Sequence, residues 1–232
     1  MEKYLVTGAD GFIGSHLVEK LVRSGKDVRA MVHYNSFGSN GWLDNIDKKI
    51  FDSIEIISGD IRDAELMKDI ASDCTNIIHL AAMMSIPYSY KAPRTFIETN
   101  VMGTLNILMA AKDLNIQKTI ITSTSEVYGT AKYTPIDEKH PMQGQSPYSA
   151  TKISADYLSM SYFYSYSLPI SIIRPFNTFG PRQSNRAVIP SIILQIANNK
   201  KFINLGLTTP KRDLSYIDDT VNGFVKTLGK NN

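Results

Sequence analysis

The part of this chain that most restricts its fold is its start. An apolar run Tyr4-Leu5-Val6 leads into Gly8-Ala9-Asp10-Gly11-Phe12-Ile13-Gly14, and Ile13, Leu17, Val18, Leu21 and Val22 then recur at helical spacing. A strand that passes through three glycines directly into a helix must turn tightly, and it leaves the helix N-terminus open to close approach by an anion. Gly25 closes that helix. The spacing is G-x-x-G-x-x-G rather than G-x-G-x-x-G, yet strand, loop and amphipathic helix stand in the order that a bound dinucleotide requires. Gly8, Gly11, Phe12, Ile13 and Gly14 are the expected diphosphate-side residues.

The same alternation continues. Strands are expected at Val28 to His33, Ile54 to Ser58, Ile77 to Leu80, Thr119 to Ser123 and Ile170 to Arg174, with helices near 64–71, 96–114 and 147–166. Near-continuous apolar strands spaced by helices predict an α/β fold, a doubly wound parallel sheet of the Rossmann type covered on both faces. Residues 1–175 would form this dinucleotide-binding domain. Residues 176–232 would form a small, incomplete substrate-binding region, with a helix over Pro190 to Asn199, a short strand Phe202 to Leu205, and a final helix ending near Leu228. Its chain would return to the core near 212–228. The loop-rich segments 35–42 and 130–147 stand where such folds build their sites.

Composition narrows the function classes. Over 232 residues, 43% hydrophobic and 20% charged content is that of an ordinary soluble globular protein. The net charge of +3 is small and the basic residues are scattered, so no nucleic-acid partner is expected. The single cysteine, Cys74, reads as a half-buried structural thiol and fits a reducing, cytoplasmic setting. With no apolar run of about 18 residues and no leader-like start, neither membrane insertion nor export is expected. No metal ligands are assigned.

The cofactor's identity stays open between NAD and NADP. The second strand ends Met31-Val32-His33-Tyr34-Asn35-Ser36 without the carboxylate that would bond an NAD ribose, and His33 could approach a 2′-phosphate. Asp60-Ile61 ends the third strand and could meet adenine; an Asp there can also cap the following helix.

Two further segments carry chemistry. Tyr148 and Lys152, at i and i+4 after the helix start Ser146-Pro147, share one helix face, where the ammonium can lower the phenol's pKa and make a general base. Ser123-Thr124-Ser125 ends the fifth strand, where a doubly wound sheet presents reactive groups. Hydroxyl, phenol and ammonium together can take a proton from an alcohol while a hydride passes to nicotinamide.

These residues bring a family likeness. Through Thr7 to His16, Gly59-Asp60-Ile61, His79-Leu80-Ala81-Ala82, Thr99-Asn100-Val101, Tyr148 to Lys152 and Arg174-Pro175-Phe176-Asn177-Thr178-Phe179-Gly180-Pro181, the chain resembles the extended short-chain dehydrogenase/reductases that act on nucleotide sugars. Members are usually longer by about one small subdomain, so the chain looks C-terminally shortened. The resemblance places Leu80, Ala81 and Ala82 against the cofactor and puts Asn100 on the cofactor side, orienting backbone or water near the site. It puts Asn177 at a diphosphate contact, with Arg182 and Arg212 as candidate phosphate partners. Met83, Met84 and Ser85 are expected to face the hexose.

Glu126, in Thr124-Ser125-Glu126-Val127-Tyr128-Gly129, chooses among family reactions. The resemblance implies a 4,6-dehydratase, in which a carboxylate removes the C5 proton after C4 is oxidised and the C6 hydroxyl leaves as water. Ser125 stands where many glucose-nucleotide dehydratases have Asp, so the acid is Ser125 or Glu126 itself. A 4-epimerase, a UDP-glucuronate decarboxylase and a non-catalytic dinucleotide-binding regulator are the alternatives. Tyr34 to Phe37, Gly41 to Asp44, Ile86 to Tyr90 and Gln143 to Ser149 are similar to N-acetylglucosamine-nucleotide 4,6-dehydratases of legionaminic-type pathways. That likeness implies a UDP- or GDP-linked N-acetylhexosamine substrate. Aromatic residues on more than one face of the helices near 96–114 and 147–166 imply, with the family's usual contact, a homodimer.

Overall fold

A computed structural model describes residues 2–229. In chain order it contains β1 (Lys3–Thr7), α1 (Phe12–Arg23), β2 (Asp27–His33), α2 (Lys48–Phe51), β3 (Glu55–Gly59), α3 (Ala64–Ala71), β4 (Asn76–His79), α4 (Ile86–Ser89), α5 (Pro93–Phe96), α6 (Gly103–Asp113), β5 (Lys118–Thr122), α7 (Pro147–Tyr166), β6 (Ile170–Ile173), β7 (Asn177–Phe179), α8 (Val188–Ala197), β8 (Leu214–Tyr216) and α9 (Ile217–Leu228). Six strands form one parallel sheet in the order β3-β2-β1-β4-β5-β6.

That order fixes where a ligand can bind. The chain winds outward from β1 to β3, then restarts at β4 on the other side, so loops leaving β1 and β4 diverge and open a crevice at their carboxyl ends. The register sets Thr7 opposite His79, and so the glycine loop opposite residues 80–82.

Alternating side chains of β1 feed both faces of the sheet. Leu5 joins Met67, Ile70, Ile107 and Leu108 beneath α3 and α6. Tyr4 and Val6 join Leu17 and Leu21 of α1 and Ile217, Val221 and Phe224 of α9. The last helix is thus part of the main core, packed on α1. No helix among the described residues is long and apolar enough to cross a membrane.

Three local expectations change. The helix expected from residue 96 begins as a wide π-type segment, Ile97–Met102, before α6. The helix expected from Pro190 begins at Val188, since a proline in the first turn forfeits only an N–H that has no intrahelical acceptor. No strand forms at Phe202 to Leu205: the Gln195 side chain accepts from Asn204 N at 2.7 Å and donates to Asn204 O at 3.0 Å, taking the backbone groups a strand partner would use. The second sheet is instead the parallel pair β7 and β8, with Thr178 opposite Ser215. Cys74 is buried rather than half-buried, and burial pushes its thiol up to about 11, so it is no thiolate nucleophile at neutral pH.

Candidate active site

A cavity of about 840 Å³ opens at the carboxyl ends of the strands. Its lining runs from Gly8, Gly11, Phe12, Ile13 and Gly14 through His33, Asp60 and Ile61 to Leu80, Ala81, Ala82 and Ser85, and on to Thr124, Ser125, Glu126, Tyr148, Lys152 and Asn177.

At the glycine end the backbone is closely packed. Gly8 has φ +68°, and a Cβ there would lie 2.7 Å from Ala81 N; a Cβ at Gly14 would lie 2.1 Å from Gly8 O. α1 begins at Gly11 with no side-chain cap and no acidic residue in its first turn. Its leading N–H groups and positive dipole end therefore lack a side-chain acceptor, and they suit a diphosphate. The residues present fit a dinucleotide.

The outer end holds a group that the sequence pattern hid. β2 ends without a carboxylate, but the Asp10 side chain, from the loop after β1, accepts from His33 N at 3.4 Å. Asp60 is held by Arg62 through Nε at 3.0 Å and NH2 at 2.5 Å, and those hydrogen bonds keep its carboxyl below the usual range. It also accepts from Arg62 N at 2.9 Å, so it shapes the turn as well as facing the cavity.

The catalytic end rests on two short-range devices. Ser146 and Ser149 form a capping box with Pro147 in the first turn, which fixes the start of α7 and the facing of Tyr148 and Lys152. Thr124 caps the 3-10 turn Ser125–Tyr128 by accepting from Glu126 N, and Ser125 N donates to Pro175 O at 3.0 Å. Glu126 is thereby presented on the cavity wall near Tyr148.

The expected electrostatics of the Tyr-Lys pair needs correction. Burial raises the Tyr148 pKa, the Thr124 hydroxyl bond lowers it and the Glu126 charge raises it. Lys152 is not among these causes: its Nζ donates to Thr122 O at 2.5 Å, behind the strand end. Burial brings Lys152 down to about 8, opposed by the Asp156 charge. His79, fully buried, is held between Thr7 Oγ1 at 2.8 Å and Thr104 Oγ1 at 3.2 Å, and burial followed by the Lys152 charge pushes it down to about 3. It is neutral at physiological pH.

Two expected phosphate partners lie outside the cavity lining, and Asn100 orients backbone beside it. Asn100 is buried, accepting from Met83 N at 2.8 Å and donating to Met83 O at 3.0 Å and Thr151 Oγ1 at 3.1 Å; it braces the loop after β4 instead of facing the cavity. Arg182 donates to Glu19 Oε2 at 2.7 Å and Ser15 Oγ at 3.2 Å, tying its loop to the flank of α1. Arg212 is exposed, donates to the neighbouring Lys211 O, and stands outside the cavity lining. Asn177 and Ser85 do line the cavity, Ser85 with the unusual φ of 116°. Gln183 joins them, a residue with no signal in the spacing of motifs.

A parallel six-stranded sheet, a glycine loop at its switch point and a Thr-Tyr-Lys cluster across one cavity define an extended short-chain dehydrogenase/reductase. The profile of the GDP-mannose 4,6 dehydratase family matches residues 5–232, and the chain belongs to that family, among nucleotide-sugar 4,6-dehydratases and epimerases. It is 36% identical to the low-salt glycan biosynthesis protein Agl12 of Haloferax volcanii over 93% of this chain and 69% of that protein. The UDP-N-acetylglucosamine 4-epimerase from Methanobrevibacter ruminantium M1, solved with UDP-N-acetylmuramic acid, superposes with a TM-score of 0.90 at 32% identity, over 99% of this chain and 74% of the other. The dTDP-glucose 4,6-dehydratase DesIV from Streptomyces venezuelae, solved with NAD and TYD bound, gives 0.89 at 30% identity, over 98% and 72%.

Proposed function

We propose that this chain is the NAD-dependent catalytic part of a nucleotide-sugar 4,6-dehydratase whose substrate is a UDP- or GDP-linked N-acetylhexosamine. The observation that carries the elimination is Glu126, a carboxylate on the same cavity wall as Thr124, Tyr148 and Lys152. The acetamido sugar rests on the likeness of residues 34–37, 41–44, 86–90 and 143–149. NAD is favoured over NADP by Asp10 beside His33 and by Asp60, which already holds Arg62; two carboxylates at this end oppose an added phosphate. Residues 1–175 would bind the dinucleotide and residues 176–232 would contribute to the substrate side.

Gly8, Gly11, Phe12, Ile13 and Gly14, with Leu80, Ala81 and Ala82, would hold the dinucleotide, whose nicotinamide would supply reversible hydride exchange with the sugar. Tyr148 takes the C4 hydroxyl proton, and the Thr124 hydroxyl bond favours its phenolate against the burial and the Glu126 charge that raise its pKa. Lys152 adds positive charge below the site. Glu126 removes the C5 proton, made acidic by the ketone beside it. The C6 hydroxyl then leaves as water, and the proton Glu126 has gained is better placed in acidity to leave with it than that of the Ser125 hydroxyl.

Incubation with NAD and UDP- or GDP-N-acetylglucosamine should give a product lighter by one water with the alkaline absorbance of a 4-keto sugar. Unchanged mass with inverted C4 would establish the second reading, an epimerase, which the likeness to the Methanobrevibacter enzyme favours. Carbon dioxide loss from a uronate would mark a decarboxylase; dinucleotide binding without turnover would mark a regulator. A homodimer through the α6 and α7 face, where Met109, Tyr157, Phe163 and Tyr164 are exposed, belongs to the same proposal; a monomer mass by light scattering would refute it. A cytoplasmic location is proposed from the lone buried thiol.

A further inference from the structure

Asp156 lies one turn beyond Lys152 on α7 and is fully buried. Its Oδ2 accepts from Arg174 Nε at 2.9 Å, just past the end of β6. Arg174 also donates to the Tyr128 hydroxyl at 3.0 Å and sits over that ring, 5.4 Å from its centroid. Tyr128 closes the 3-10 turn that carries Ser125 and Glu126. The remaining atom, Asp156 Oδ1, has no geometrically good partner, and neither does the buried Ser123 Oγ at the end of β5, although the Ser123 hydroxyl is close enough to favour the carboxylate form. One buried carboxylate thus joins the helix of the Tyr-Lys pair to both strand ends and the turn of the proposed base.

We propose that Asp156 is a positioning residue for the reaction: through Arg174 it holds the Glu126 turn against α7, and across one helical turn its charge keeps the buried Lys152 an ammonium.

This rests on the reading of Tyr148 and Lys152 as the proton-handling pair. An ammonium removed from water is costly unless an opposite charge lies near it. The charged and titratable groups around Lys152 are few. Tyr148 and Asp156 share its helix, His79 comes from β4 and is neutral, and Glu126 acts on Tyr148 from the turn after β5. Asp156 is the one that favours the charged form of Lys152. Burial raises the Asp156 pKa, and the Ser123 hydroxyl, Arg174 and the Lys152 charge oppose that rise, so the carboxylate form rests on these partners. At helical i, i+4 separation an ionised pair in a poorly solvated site is worth roughly one to two pK units.

The test is 13C NMR of protein labelled at lysine Cε, with the Lys152 resonance assigned by its loss in Lys152→Met. In Asp156→Asn, whose amide oxygen still accepts from Arg174, the Lys152 midpoint should fall by about one unit, a tenfold weaker hold on the proton. An unchanged midpoint in folded Asp156→Asn overturns the proposal. Should that variant fail to fold, aspartate Cγ labelling of the unaltered protein decides: a carboxylate shift at Asp156 between about pH 6 and 9 is required, and a protonated one overturns it. With activity present, the alkaline limb of kcat should move down in Asp156→Asn by the same interval as the Lys152 midpoint, which a purely structural role would not cause. If the unaltered protein turns over no nucleotide sugar while the Lys152 shift is seen, the dehydratase reading fails and the charge assignment stands.

Discussion

Substituting Gly14 by alanine should separate tight backbone packing from ordinary glycine strain. Its Cβ would fall 2.1 Å from Gly8 O and 2.9 Å from Ala9 Cα, both backbone atoms of the diphosphate loop. Carbon keeps about 3.5 Å from non-bonded heavy atoms, so the loop must yield by roughly 1.4 Å. Overpacking of this kind costs about 1–3 kcal/mol, toward the top of that range when the obstruction is backbone. Alanine's better helix propensity returns about 1 kcal/mol, leaving a net loss of about 2 kcal/mol. A loop displaced that far misaims the N–H donors of α1, and each hydrogen bond to a charged group is worth about 1.5–3 kcal/mol. Loss of one such bond weakens NAD binding by roughly 10- to 100-fold. Gly25→Ala is the control. Its φ of +76° imposes a left-handed strain of about 1–2 kcal/mol, yet a Cβ there meets no atom within 4 Å, so NAD affinity should stay at the unaltered level. Urea unfolding measures the first quantity and titration calorimetry with NAD the second. Gly14→Ala binding NAD as tightly as Gly25→Ala would refute the reasoning.

Glu126→Gln should lower dehydration by about 10²- to 10⁴-fold and stop solvent deuterium entering C5; full dehydration in that variant would sink the proposed mechanism. His79 has its folded pKa depressed to about 3, so on acidification below about 6.5 the unfolded chain takes a proton that the native protein refuses. Stability should then fall by up to about 1.4 kcal/mol per pH unit, which urea midpoints at descending pH would show; His79→Gln should lose that slope. Lys152 is also depressed, to about 8, so its native form releases a proton before the unfolded one does. Stability should rise with pH from about 8 toward 10.5, and Lys152→Met should abolish that rise.

Much of the framework was legible because it is local. Helical spacing after Gly11, the Ser146-Pro147 start of α7 and the apolar runs place strands and helices within a residue or two, since propensity, capping and periodicity act over a few positions. The Glu126 turn is similarly short-range: Thr124 caps it and so presents the carboxylate.

Groups that act across the fold were not legible. A candidate phosphate arginine, Arg182, is instead claimed by Glu19, and the end of β2, which has no carboxylate of its own, is met by Asp10 from another loop. Lys152 turns to the Thr122 carbonyl on β5, while Asp156, with no motif of its own, meets Arg174 eighteen positions away.

The sequence alone determined the strand-glycine-helix unit, the order of alternating elements and the residue types at the strand ends. Only the tertiary structure decided which charges meet, because burial and long-range partners set a side chain's hydrogen bonds and protonation, and both depend on what the sheet brings alongside it.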